Sequence, residues 1–90
     1  MKILAKFVSA DTQIYTGKCY FLGFSAENSK TIKVYNVEVS TSAASANLVG
    51  YVHEDSGTEA YMLPKPGVEC SNGIYVTVDS GDVCIYYSVG

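Results

Sequence analysis

Between Gly73 and Val89 apolar and polar side chains alternate with a period of two, interrupted once by Asp79-Ser80-Gly81-Asp82. That alternation is the tightest constraint in the chain. Successive side chains of an extended strand point to opposite faces, so a period of two buries one face and leaves the other free. Ile74, Val76 and Val78 form the apolar row before the turn, and Val83, Ile85 and Tyr87 the row after it. A two-residue turn at Ser80-Gly81 predicts a hairpin that pairs Val78 with Val83, Val76 with Ile85 and Ile74 with Tyr87. All six then share the core face. A slip of one residue would set Val83 and Ile85 opposite polar-face positions, so the register is well specified. The same register sets Tyr75 across from Tyr86 and Thr77 across from Cys84 on the other face.

The rest of the chain obeys the same rule. No window carries apolar residues at helical spacing, and β-branched and aromatic residues dominate. Strands are expected near Ile3–Ser9, Ile14–Ser25, Thr31–Val39, Leu48–Glu54, Glu59–Leu63, Gly73–Val78 and Val83–Val89. Gly17 and Gly23 mark a bulge or bend within the second run. A second hairpin is expected around Asp55-Ser56-Gly57. Its three-residue loop would oppose His53 with Glu59, Val52 with Ala60 and Tyr51 with Tyr61, where a two-residue turn would set Glu54 against Glu59. The segment 40–46, all Ser, Thr and Ala, reads as a loop crossing between sheets, with a short helix over Ser42–Ala46 as the competing reading. Pro64-Lys65-Pro66-Gly67 bars continuation of a central strand. The expected fold is therefore all-β: one small antiparallel β-sandwich over residues 1–90, jelly-roll-like, of about 7–8 strands. Residues 1–13 would serve as an N-terminal attachment strand or arm.

Ninety residues make one domain with a thin core. Only 17% of the residues are charged, well below the roughly 25% usual in soluble domains. Much of the surface is then neutral, which suits either flanks covered by neighbours or a plain polar exterior. The net charge is −3, and all six basic residues are scattered lysines. Nucleic-acid binding needs a clustered basic face, with Arg as its usual base reader, so no nucleic-acid partner is expected. The apolar run after Met1-Lys2 ends at Lys6, too short for a secretory leader, and nothing approaches a membrane span. A chain made in a cytoplasm and kept off membranes is the expectation.

Catalytic and metal chemistry find no foothold. Cys19, Cys70 and Cys84 have no CxxC spacing and no nearby histidine, so they read as small apolar core residues, with a Cys70–Cys84 bridge as the alternative. The single histidine, His53, would have to carry any Ser–His or Cys–His reaction alone, and no GxSxG elbow exists. Its plain reading is a surface residue paired with Glu59. The acidic residues Glu54, Asp55, Glu59, Asp79 and Asp82 sit at hairpin tips, where Asp and Ser serve the turn itself. They lack the alternating ligand spacing of a calcium loop. No enzyme, no cofactor and no metal are expected.

The eight tyrosines carry the most functional weight. Tyrosine gives a large contact area with a polar tip and is enriched at interfaces. Tyr75 and Tyr86 fall outside the core row, and Tyr51 and Tyr61 were reached by the second hairpin's register. These four are the candidate partner interface, against the plain alternative that they are ordinary cross-strand aromatic pairs.

Val34-Tyr35-Asn36, the Ser/Ala segment, Pro66-Gly67-Val68-Glu69-Cys70-Ser71-Asn72-Gly73-Ile74-Tyr75-Val76 and the final Ile85-Tyr86-Tyr87 strand follow one another in order. In that succession the chain, from about Cys19 onward, resembles short structural proteins of tailed-phage virions, of the capsid decoration or cement type. Asn36 stands where such proteins often carry Asp, and the first eighteen residues have no clear counterpart. The resemblance implies a small β-sandwich or jelly roll without catalytic residues, carried on the capsid surface. It also implies a frequent homotrimer that binds the major capsid protein and is made in the host cytoplasm. A tail, neck or baseplate subunit, a carbohydrate-binding sandwich module and, last, a small hydrolase are the rival readings.

Overall fold

The computed structural model describes residues 2–27, 31–39, 45–53, 58–63, 67–79 and 81–89, of which 26, 27, 45, 51–53 and 58–62 enter as backbone only. Nine strands follow one another: β1 (Lys2–Val8), β2 (Thr12–Thr16), β3 (Cys19–Glu27), β4 (Thr31–Tyr35), β5 (Leu48–His53), β6 (Thr58–Met62), β7 (Val68–Cys70), β8 (Gly73–Val78) and β9 (Asp82–Val89). A 3₁₀ turn, Ser45–Asn47, leads into β5. Two antiparallel sheets result. One has the order β1-β9-β3-β6, with β7 also on β3, and the other has β2-β8-β4-β5.

This order is that of a jelly roll: the chain is one long hairpin wrapped into two layers. Lys2 pairs with Val89, Thr12 with Val76, Cys19 with Cys70 and Thr31 with His53. The two halves of the chain therefore run antiparallel along their whole length, about a midpoint in the Ser/Ala segment. β4 and β5, the strands on either side of that segment, pair with each other in one sheet, so the chain does not change sheets between them as expected. The segment's residues 40–44, and most of the competing Ser42–Ala46 helix, lie outside the described residues.

Both hairpins expected from the Asp-Ser-Gly turns are corrected. β8 pairs with β2 and β4, while β9 pairs with β1 and β3. Likewise β5 pairs with β4 and β6 with β3. Each turn carries the chain from one sheet to the other. The face assignment nevertheless holds: Ile74, Val76, Val78, Val83 and Ile85 are all buried. The two apolar rows meet face to face across the core, where they were expected side by side. Alternation fixes which way a side chain points, and either arrangement removes the same row from water.

The core is filled from both layers. Cys19, Phe21, Phe24, Cys70, Val83 and Ile85 come from one sheet and Ile14, Ile32, Val34, Ile74, Val76 and Val78 from the other. Phe21 reaches across to lie against Gly50 of β5, and Tyr15 of β2 meets Tyr87 of β9 with ring centroids 6.0 Å apart. The run expected as one strand over Ile14–Ser25 breaks at Gly17, whose φ of +113° ends β2 and sends the chain to the opposite sheet. A bulge does sit beside Gly23, with Leu22 the extra residue.

That bulge has a partner. β6 and β7 occupy successive stretches of the same β3 edge, Gly23 pairing with Met62 and Phe21 with Val68. Between them the Leu63 N–H donates to the Leu22 carbonyl at 2.7 Å. β6 and β7 are separate strands along that edge of β3, and residues 64–66 of the expected Pro64-Lys65-Pro66-Gly67 stop lie outside the described residues. Gly67 takes a φ of +85°, and a Cβ there would collide with the Phe21 carbonyl oxygen. At the sandwich end, the Gln13 side-chain amide donates to the carbonyls of Tyr15, Val37 and Ile74, each at 3.0 Å. This clamp ties β2, β8 and the chain after β4 together.

Two substitutions test this packing in urea unfolding. Ile85→Ala should lose about 2–5 kcal/mol, as a large-to-small change at a fully buried site. Gly67→Ala should lose about 1–3 kcal/mol from left-handed backbone strain alone. Phe7→Ala, at a site 68% exposed, should leave the midpoint nearly unchanged.

Candidate functional site: two outer sheet faces

With both apolar rows turned inward, the outer faces carry whatever the sequence places there without need of burial. The four interface tyrosines do not form one patch. Tyr75 lies on the outer face of the β2-β8-β4-β5 sheet, in register with Tyr35 and not with Tyr86. Their ring centroids are 6.3 Å apart, tilted by 37°. Tyr86 lies on the outer face of the other sheet, between Ala5 of β1 and Gly23 of β3. Its hydroxyl shares a 3.0 Å hydrogen bond with Ser25 Oγ. Tyr51 is in register with Lys33 and Tyr61 with Phe24, in different sheets. Thr77 pairs with Lys33, and Cys84 with Phe7 and Ser25. The expected Tyr75–Tyr86 and Tyr51–Tyr61 pairs are therefore replaced by contacts within each sheet.

On the Tyr75 side the surface is concave and polar. An open hollow of ≈ 380 Å³ is bordered by Asp11, Thr31, Lys33, Tyr35, Thr77 and Asp79. Asp11 is held in place because its Oδ1 accepts from the Val78 N–H at 2.9 Å, and the Asp79 N–H donates to the Thr31 carbonyl at 3.0 Å. Burial, then the charge of Asp11, then Tyr35 raise the Tyr75 phenol above its ordinary value. It stays protonated, a donor beside a fixed carboxylate. Such a surface can hydrogen-bond and stack against a polar ring, and it presents no nucleophile activated by a base.

The Tyr86 side is different. β1 forms the sheet edge, and Ile3 (43% exposed) and Phe7 (68% exposed) are large apolar groups in water. Ile3, Ala5 and Phe7 are in register with Ser88, Tyr86 and Cys84, so they lie on the outer face. Residues 2–8, within the expected N-terminal attachment strand or arm, form a paired strand in unbroken register with β9, whose outer row stays exposed. Sequence inspection did not single out Ile3 and Phe7. The usable signal was Phe7 falling on the face opposite the buried Val8.

The remaining candidates are accounted for by the turns and the core. His53 pairs with Thr31 and Glu59 with Ala26, so the expected His53–Glu59 pair is split between sheets. Glu54 and Asp55 lie outside the described residues. Among the described residues no three His, Cys, Asp or Glu side chains gather around a common point. Cys19 and Cys70 face each other across β3 and β7, both fully buried and free. Cys84 is half-exposed on the opposite face of its sheet, which rules out the Cys70–Cys84 bridge.

No family model, no curated protein and no solved structure matches this chain.

Burial, with the facing Cys70 second, raises the Cys19 thiol from 9.0 to about 12. Burial likewise raises Cys70 to about 11. Unfolding returns both to the ordinary value, so the unfolded chain releases these protons first as pH climbs. The stabilisation is whole below pH 9 and is lost progressively toward pH 11–12. Thermal melts should therefore show an alkaline decline that Cys19→Ala weakens. At pH 8 a maleimide should label Cys84 in the native protein, and Cys19 and Cys70 only after denaturation, read by peptide mass.

Proposed function

We propose that this chain is a non-enzymatic structural protein of a tailed-phage particle. In this reading it is a decoration protein that binds the outer surface of the head, contacts the major capsid protein and associates with copies of itself. It is made in the host cytoplasm and carried on the virion. One observation carries the reading beyond the resemblance already described: the exposed Ile3–Ala5–Phe7 row that runs into Tyr86 on one sheet face. Large apolar groups left in water beside an amphipathic aromatic are what a docking surface requires. The jelly roll supports it mechanically. Its rigid layers present a flat face with little ordering cost on binding.

The mechanism is mass action. A subunit that binds the closed shell better than its separated parts stabilises the shell by that difference in affinity. Repetition over many symmetry-related positions turns modest contacts into durable ones.

A second reading has its own observation. Tyr35, which lines the open polar hollow with Asp11 and Asp79, and Tyr75, its ring neighbour, are suited to stacking and hydrogen bonding to a sugar ring. A carbohydrate-binding module would use that face. A tail, neck or baseplate position would use the same Ile3–Phe7–Tyr86 surface against a different neighbour.

Two variants separate these readings. Particles assembled with Phe7→Lys plus Tyr86→Ala should carry at least about tenfold less of the chain, a loss of roughly 1.4 kcal/mol per contact site. Particles with Tyr75→Ala should be fully occupied, and the melting temperature of each variant gives the folding control. Occupancy is read by quantitative mass spectrometry, and a density map of the wild-type particle locates the chain on head or tail. Full occupancy with Phe7 and Tyr86 both replaced rejects this surface. Glycan-array binding that Tyr75→Ala abolishes favours the carbohydrate reading.

A further inference from the structure

We propose that β1 pairs with β1 of a second copy of this chain, antiparallel about a two-fold axis at Ala5, so that two sheets join into one. The proposal deepens the self-association in the reading above and names the partner surface. It starts from the four sheet edges. An unpaired edge offers free N–H and C=O groups to another strand, and proteins blunt such edges with prolines, breaks and bulges. The β6–β7 edge is interrupted between Met62 and Val68, a stretch whose sequence includes Pro64 and Pro66. The β2 edge is bulged at Ile14. The β4–β5 ladder shifts register between Val34 and Tyr35. β1 has no proline, glycine or bulge over its seven residues and keeps continuous register with β9; its guards are the charges of Lys2 and Lys6. Among the described residues nothing pairs with its other side.

The strand is also complementary to itself. A two-fold axis perpendicular to the sheet keeps outer row beside outer row, which leaves only registers centred on a residue. Centred on Ala5, all seven residues pair. Ile3 then lies beside Phe7 of the other copy, Leu4 beside Lys6, Lys2 beside Val8 and Ala5 beside itself. Two aromatic–β-branched pairs form on the outer face, and no lysine opposes a lysine. Centring on Leu4 sets Lys2 against Lys6 twice, and centring on Lys6 sets that residue against its own copy. Both also shorten the overlap to five residues. The two lysines, which otherwise guard an edge, here exclude every long register but one.

Ile3 and Phe7 are the exposed large apolar groups of this strand, and this register brings each beside the other. The contact is isologous and closes at two copies, so a dimer is expected where the phage resemblance implies a trimer. It leaves the outer face of the joined sheet open and doubles the Ile3–Phe7–Tyr86 strip available to a coat protein. Few residues are involved, and the dimer should be a micromolar one.

Sedimentation equilibrium across micromolar to millimolar concentrations tests this on the whole chain. Wild type should dimerise. Ala5→Lys and Ala5→Glu each put like charges against each other on the axis, and each should weaken dimerisation at least about tenfold. Because Ala5 is exposed, both variants should melt at the wild-type temperature when compared well below the dimer's dissociation range, where association adds nothing to stability. An equimolar mixture of the two should recover the dimer as a mixed pair. A wild type that stays monomeric or forms trimers overturns the proposal, as does a dimer unaffected by either variant or a mixture no better than its components. The reading of the previous section fails separately: a dimer absent from particles overturns that reading alone, and a monomer found on particles overturns the pairing alone.

Discussion

The pairing of the chain's first half with its second, begun by β1 on β9, is the constraint on which every other feature rests. Once Lys2 lies beside Val89 and Val8 beside Val83, the rest of each half can only continue inward as the two rows wrap. β2 then meets β8, β3 meets β7 and β6, and β4 meets β5. Such pairings are far apart in sequence, so loop closure opposes them until much of the apolar row is buried. The β4–β5 pair is the exception, closed by a short connection.

The sequence was legible for direction and illegible for partnership. Val76 and Ile85 point inward because alternation leaves no other way to remove them from water, and both are fully buried. Nothing in the alternation says whether Ile85 sits beside Val76 or above it. Asp-Ser-Gly turns are good hairpin formers, but the same residues also let a strand leave its sheet. Gly81 has φ +85° in a turn that joins two layers. The preference against opposing Glu54 with Glu59 was sound electrostatics applied to a pair of strands that never meet. The decisive term is global: side by side, each pair of rows would still need a second layer to cover it.

Glycine and proline marked breaks correctly and their consequences less well. Gly17 was legible as a bend, yet only the fold shows that it separates strands of opposite sheets. The Pro64–Gly67 break was legible as a stop, and β6 does end at Met62, just before it. The Gln13 clamp had no sequence signal, since a glutamine in a strand ordinarily faces water. It is recognisable only through the three carbonyls it reaches. Asn36 is similar. Its Oδ1 accepts from the Asn72 N–H at 2.9 Å, a role an aspartate fills equally well.

The core makes no demand on the outer rows. A buried isoleucine is explained by burial, whereas Phe7 on an outer row is not, and the docking surface proposed above rests on that difference. The two faces answer different requirements. One pairs Tyr35 and Tyr75 beside a carboxylate fixed by backbone hydrogen bonding, which suits a polar ligand. The other sets Ile3, Phe7 and Tyr86 on and beside a sheet edge, which suits another protein. A tyrosine count cannot distinguish a face from its reverse. What separates them is the company each keeps: acids and threonines around Tyr75, small and apolar residues around Tyr86. Of the two, the apolar face carries the larger free-energy consequence, because leaving a phenylalanine in water forfeits about 1.5–3 kcal/mol that a partner can recover.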